Sequence, residues 1–223
     1  MELLHQLNIG LHIVCGTLAM LLGLVPMLGR KGGAGHRRFG RWFLLATAGV
    51  LLTAVLGLAV FNFRGYLVGI VLLSVYQAWS GFRAVRRRAT GPAPLDGWVA
   101  AGFLVSSVGL VAGLRVIELV WTPGIIYSTL GALVVMTIYD LARFRFLALW
   151  RRTLWRYDHL WKMISAYFAL VSAFTGTVLP QYKPYSQFGP SLLGIMLILG
   201  FGLYYARQRP LVRPGVSAGS AAA

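Results

Sequence analysis

"LHIVCGTLAMLLGLVPMLGRKGGAGHRRFGRWF", residues 11–43, contains an abrupt change of solvent. As far as Leu28 the side chains are almost all apolar, and then glycines, one histidine and the basic residues Arg30, Lys31, Arg37, Arg38 and Arg41 follow before the chain turns apolar again at Trp42. An apolar run of about 20 residues is what a helix needs to cross roughly 30 Å of hydrocarbon, where no water satisfies an irregular backbone. A charged collar between two such runs marks a return to the membrane surface.

Six more runs follow the same rule, so the sequence predicts seven spans: 8–28, 42–62, 65–83, 98–119, 123–142, 160–179 and 190–206. Lys and Arg concentrate in cytoplasmic loops. Here one set of alternate loops carries 18 of the 21 basic residues: the five above, Arg83, Arg86, Arg87 and Arg88, then Arg143, Arg145, Arg151, Arg152, Arg156 and Lys162, then Arg207, Arg209 and Arg213. The opposite set holds Arg64, Arg115 and Lys183. The expected fold is therefore an all-α, polytopic integral membrane bundle of seven transmembrane helices, N-terminus out and C-terminus in. Residues 1–209 form one transmembrane domain, and the small, polar tail 210–223 is expected to be disordered.

Composition excludes the main alternatives. Among 223 residues 58% are apolar and 12% charged, with mean hydropathy +0.72, too few polar groups to cover a soluble domain. A net charge of +16 suggests nucleic acid until the positions are plotted; the collars instead face the bilayer, so the expected partners are anionic lipids at the cytoplasmic face and not nucleic acid. Homo-oligomerisation stays open. A single cysteine, Cys15, rules out an internal disulfide framework, and the first run lacks a basic leader and a processing site, so it reads as a retained span.

Two connections have their own character. Residues 144–158, "FRFLALWRRTLWRYD", set Arg145, Arg152 and Arg156 opposite Phe146, Trp150, Leu154 and Tyr157, which predicts an interfacial amphipathic helix. Residues 179–190, "LPQYKPYSQFGP", with three prolines and three aromatics, read as an outer loop. Glycines in "GTLAMLLG" and "SLLGIMLILGFG" suit close helix packing.

The collar at residues 29–42 lacks the strand and the GK[ST] ending of a phosphate loop, so its glycines read as a reversal and its arginines as lipid contacts. His36 is left over. The stretch quoted above, with "YQAWSGFRAVRRR" and "DHLWKMISAYFALVSAF", resembles a family of bacterial membrane proteins defined only as a domain of unknown function, the RKGG-x2-HRR-x-GR loop being the most specific part. The resemblance implies a multi-pass protein of the bacterial cytoplasmic (inner) membrane, with histidines at the positions of His12, His36 and His159, and no settled activity.

Ionisable groups at membrane depth cost about 2.5–3.5 kcal/mol each to insert, so each invites a functional reading. Tyr76, Ser80 and Arg83 share a face of the third span, Asp140 ends the fifth, Asp158 and His159 open the sixth, and His36 precedes the second. Together they predict a polar cytoplasmic-side pocket for binding or transport of a small molecule, with Asp140 paired to Arg83. The plainer readings are that Asp140 neutralises Arg83 or Arg143 and that Asp158 caps the sixth helix. His36 and His159 as a facing pair suggest the alternative, a membrane redox protein holding haem b or quinone. His36, Asp140 and His159 also make the minimum set for a metal-dependent hydrolase, but no His-x3-His pair is present and no resident metal or cofactor is assigned. His12, with His5, Asn8 and Cys15 on one face, lies toward the outer side.

Overall fold

The structure, a computed structural model, describes residues 1–61, 63, 65–113 and 123–207. Seven long helices account for most of these residues: α1 Glu2–Leu28, α2 Ala34–Leu56, α3 Gly65–Arg86, α4 Pro94–Gly113, α5 Pro123–Ala142, α6 Trp155–Val178 and α7 Tyr185–Arg207. A π-helical turn over Gly57–Phe61 extends α2, and the described residues contain no strand. Arg64, Arg115, Arg209, Arg213, the ends of the second and fourth expected spans and the tail 210–223 lie outside the described residues.

Five segments are long and apolar enough to cross a membrane: α1, α2 with its π turn, Leu67–Arg86 of α3, α4 and α7. The sixth helix is different because Asp158 and Lys162 fall in its first two turns and are buried by its neighbours. It packs against α3, α7 and α1 and so occupies the centre of the bundle.

Several helices begin before the expected spans or end after them. α2 opens at Ala34, so Arg37, Arg38 and Arg41 lie on the helix. The reason is physical: hydropathy marks where lipid ends, whereas hydrogen bonding marks where the helix ends, and arginine is a good helix former in water. The expected outer loop 179–190 is likewise shortened, to a 3-10 turn over Pro180–Tyr182 and a few flanking residues. Pro190 sits inside α7. A helical N–H at that position would bond the carbonyl of Ser186; proline has none, and the Thr175 hydroxyl donates to that carbonyl instead, at 2.5 Å.

Residues 143–158 do not form one amphipathic α-helix. A 3-10 turn (Arg143–Phe146), a short α turn (Leu147–Leu149) and a π turn (Trp150–Leu154) lead into α6. Arg145, Arg152 and Arg156 are exposed as expected, but Trp150 is fully buried in protein. Its indole N–H has a carboxylate to reach, which an apolar resting place in lipid cannot offer.

Close helix approach comes from glycine at a few contacts. A methyl on Gly23 would lie 2.6 Å from the Tyr167 ring, and one on Gly194 would lie 2.9 Å from Phe168, so α1 and α7 reach α6 only because these positions are bare. Phe43, Ile164, Tyr167 and Phe168 form the core there, and Leu73, Tyr76, Leu133 and Met136 form a second core between α3, α4 and α5.

Candidate functional site at the arginine-rich end

The expected single pocket divides into three arrangements at the arginine-rich end of the bundle. The first is an ion cluster. Asp140 at the end of α5 meets Lys162 at 2.5 Å and Arg143 at 3.2 Å; Asp158 on α6 meets Lys162 at 2.6 Å and Arg143 at 2.7 Å. All four side chains are essentially inaccessible. Two carboxylates and two cations cancel, and polar neighbours complete the set: the Tyr76 hydroxyl donates to Asp140 at 2.6 Å, and the Trp150 and Trp161 N–H groups donate to Asp158 at 2.9 and 3.3 Å. Arg143 also lies over the Trp150 ring, 5.4 Å from its centre. Burial works against its charge, but the two aspartates prevail and raise the guanidinium pKa above the ordinary value.

Two sequence expectations are corrected here. Asp140 does not pair with Arg83, and Asp158 is not a cap: Leu154 occupies the cap position of α6 and makes no side-chain cap bond. A buried carboxylate gains more from two cations and an N–H than from half-exposed backbone donors. Nor do Arg143 and Lys162 face lipid, although both were counted with the surface collar. The signals that could have found the cluster were the spacings Asp140-x2-Arg143 and Asp158-x3-Lys162, which place each pair on one helix face.

The second arrangement holds Arg83. Its Nε and one terminal nitrogen donate to the two oxygens of Asp96 at 2.7 and 3.1 Å, joining α3 to the start of α4. Asp96 also accepts from the Ala93 backbone N–H at 2.6 Å, so its carboxylate closes the first turn of α4. Asp96 was missed because it lies in a loop-like stretch, "GPAPLDG". Ser80 is fully buried on α3, and its hydroxyl has no hydrogen-bond partner.

The third arrangement is a histidine pair. His36, at the start of α2, and His159, in the first turns of α6, lie with ring centres 6.2 Å apart and planes at 73°. The loop 29–33 explains His36. Helix α1 ends at Leu28 with its last carbonyls unpaired; Gly32, at φ 75°, turns the chain back, and Lys31 donates to the carbonyls of Pro26 and Met27 while His36 Nδ1 donates to Pro26 at 3.0 Å. Partial burial lowers the pKa of Lys31, whose ammonium also lies over the Phe201 ring. The collar is thus a C-terminal cap as well as a surface.

His159 Nδ1 donates to the carbonyl of Gly81 on α3 at 2.9 Å. A carbonyl only accepts, so both rings are N–H at Nδ1, and in the neutral ring the other nitrogen, Nε2, is an acceptor. Among the described residues neither Nε2 has a hydrogen-bond partner, whereas every carboxylate oxygen of the ion cluster is taken. Nδ1 held by a backbone carbonyl is also how ligating histidines are oriented in metal sites.

His12 is elsewhere. Its Nδ1 lies 2.8 Å from the Thr53 hydroxyl, which itself donates to Gly49 and Val50 carbonyls, so the imidazole donates and ties α1 to α2 in the opposite half of the bundle. Asn8 bonds the Thr53 carbonyl beside it, and His5 stacks near Phe61. Among the described residues no group of three His, Cys, Asp or Glu side chains is placed to hold a metal, so the hydrolase set of His36, Asp140 and His159 does not assemble. No family model matches the chain, and neither a curated protein nor a solved structure matches it.

Proposed function

We infer that this chain is a seven-span protein of a bacterial cytoplasmic membrane, N-terminus out and C-terminus in, akin to the family its RKGG-x2-HRR-x-GR loop resembles. In this reading it binds or transports a small ligand at its cytoplasmic end. The five apolar helices and the arginine-rich end support the topology. Arg37, Arg38, Arg41, Arg86, Arg88, Arg145, Arg152 and Arg156 are exposed there, and each is worth about 1 kcal/mol against an anionic leaflet.

The observation that carries the ligand reading is the His36–His159 pair. Residues 123 positions apart converge, both are fixed through Nδ1, and both keep an acceptor nitrogen. Such a pair takes a Lewis acid or a hydrogen-bond donor and has nothing to offer an anion or a ketone. In the neighbouring ion cluster every carboxylate oxygen is taken, and the cluster serves as the frame that ties α3, α5 and α6 together.

A second reading, membrane redox, has the same observation in its favour. Two imidazole acceptors suit the axial positions of haem b, and a quinol hydroxyl would donate to one of them where a quinone carbonyl would not. Freshly solubilised protein separates the readings by absorbance and metal analysis. A Soret band lost in His159→Ala supports redox; a colourless protein whose ligand binding is lost in the same variant supports the first reading; a site indifferent to both His36→Ala and His159→Ala refutes both. Tags on the two chain ends test the topology, which requires them in different compartments.

A further inference from the structure

Resting on the ligand-site reading above and deepening it, we propose that the occupant of the histidine pair is a cuprous ion, held by Nε2 of His36 and His159 with the Met163 thioether as a third donor.

The spacing fits one ion. An imidazole–metal bond of about 2.0 Å, added to the roughly 1 Å between a ring nitrogen and its ring centre and counted twice, puts the centres about 6 Å apart when the two bonds are nearly collinear. The rings stand at 6.2 Å. A wide angle between two nitrogens is what a low-coordinate monovalent ion accepts and what a tetrahedral divalent ion does not.

Met163 supplies softness. It follows His159 by four residues, so the two side chains share a face of α6. Its side chain lies against Gly81: a methyl there would come within 3.1 Å of Met163 Cε, and the carbonyl of that same glycine holds His159 Nδ1. The Met163 side chain therefore lies beside the point where His159 is fastened to α3. Soft sulfur with imidazole selects copper(I) among biological metals.

Charge points the same way. Asp140 and Asp158 are spent on Arg143 and Lys162, so no carboxylate is free to offset a divalent ion. Lys31 shares the Pro26 carbonyl with His36, and Arg30 and Arg37 stand nearby in the chain. A cationic rim disfavours two added charges more than one.

The experiment uses the full chain in detergent under anaerobic conditions, titrated with copper(I) against a colorimetric chelator. One equivalent is expected, with affinity falling at least about 100-fold in His36→Ala or His159→Ala and about 10-fold in Met163→Leu, since loss of a mere outer-shell partner already costs about 10–100-fold. His12→Ala is expected to bind as wild type. X-ray absorption of the unmodified protein should show two nitrogen and one sulfur scatterers, a result independent of whether any variant folds. Copper binding unchanged in both histidine variants, or zinc(II) bound as tightly as copper(I), overturns the proposal. A protein that takes haem or quinol through the pair but no copper(I) also overturns it while leaving the ligand-site reading intact; a pair that binds none of these removes both.

Discussion

The ion cluster and the histidine pair sit side by side on α6, at Asp158 and His159, yet they are opposite solutions to placing polar groups in an apolar bundle. In the cluster every carboxylate oxygen is answered, by Lys162, Arg143, Tyr76, Trp150 or Trp161. In the pair each ring is anchored on one nitrogen and left open on the other. The lesson is that charge alone is a poor pointer to function in this chain. A network whose carboxylates are all answered holds helices together, even with the Arg143 Nε unpaired, and imidazoles fastened on one nitrogen only are where a ligand can add bonds.

The largest effect should come from breaking the cluster. Lys162→Met leaves Asp140 and Asp158 sharing one cation and is expected to cost about 3–5 kcal/mol, read from unfolding in micelles. Adding Asp140→Asn should return a good part of that loss, because a neutral buried pair is cheaper than an orphaned charge. A silent single variant would mean that water reaches the cluster. Next comes Tyr76→Phe, which removes the donor to Asp140 at no change in shape and should cost about 1–3 kcal/mol in the same assay.

Arg83→Gln tests the partly exposed pair. Asp96 keeps its Ala93 N–H and gains solvent access along the vacated path, so the loss should be about 1 kcal/mol, read as a small shift in the midpoint of the same unfolding curve. The pair itself belongs at the same small end of the scale: His36→Ala and His159→Ala each remove one net hydrogen bond, about 0.5–1.5 kcal/mol, while abolishing ligand binding. Comparable destabilisation by Lys162→Met and His159→Ala would erase the contrast between the two regions.

Much of this architecture was legible in the residues. Apolar run length predicted the helices, and the bounds of α5 agree with the expected 123–142 span. Run length also misplaced other ends, because arginines continue a helix beyond the lipid. At the site, the sequence placed His36, His159, Tyr76 and Asp140 at the same end of the bundle, where His36 meets His159 and Tyr76 meets Asp140, but it did not give the Tyr76–Asp140 bond. The partner of Arg83 and the second cation of Asp158, Arg143, were not legible either, since pairing across helices depends on rotation and depth, which hydropathy does not carry. A different clue was present: with 5 acidic residues against 21 basic ones, each acid is contested, and Asp96, Asp140 and Asp158 are all in ion pairs.

The contrast rests most directly on where the protons of two imidazoles sit. Nitrogen-15 spectra of histidine-labelled protein in a membrane mimetic, assigned with His5→Gln and His12→Gln variants, should show His36 and His159 both protonated at Nδ1 and bare at Nε2 near neutral pH. Finding both rings protonated at Nε2 would mean that the pair has no open Nε2 acceptors and is merely another set of fastenings between helices, and finding one so protonated would leave no pair of acceptors to share a ligand.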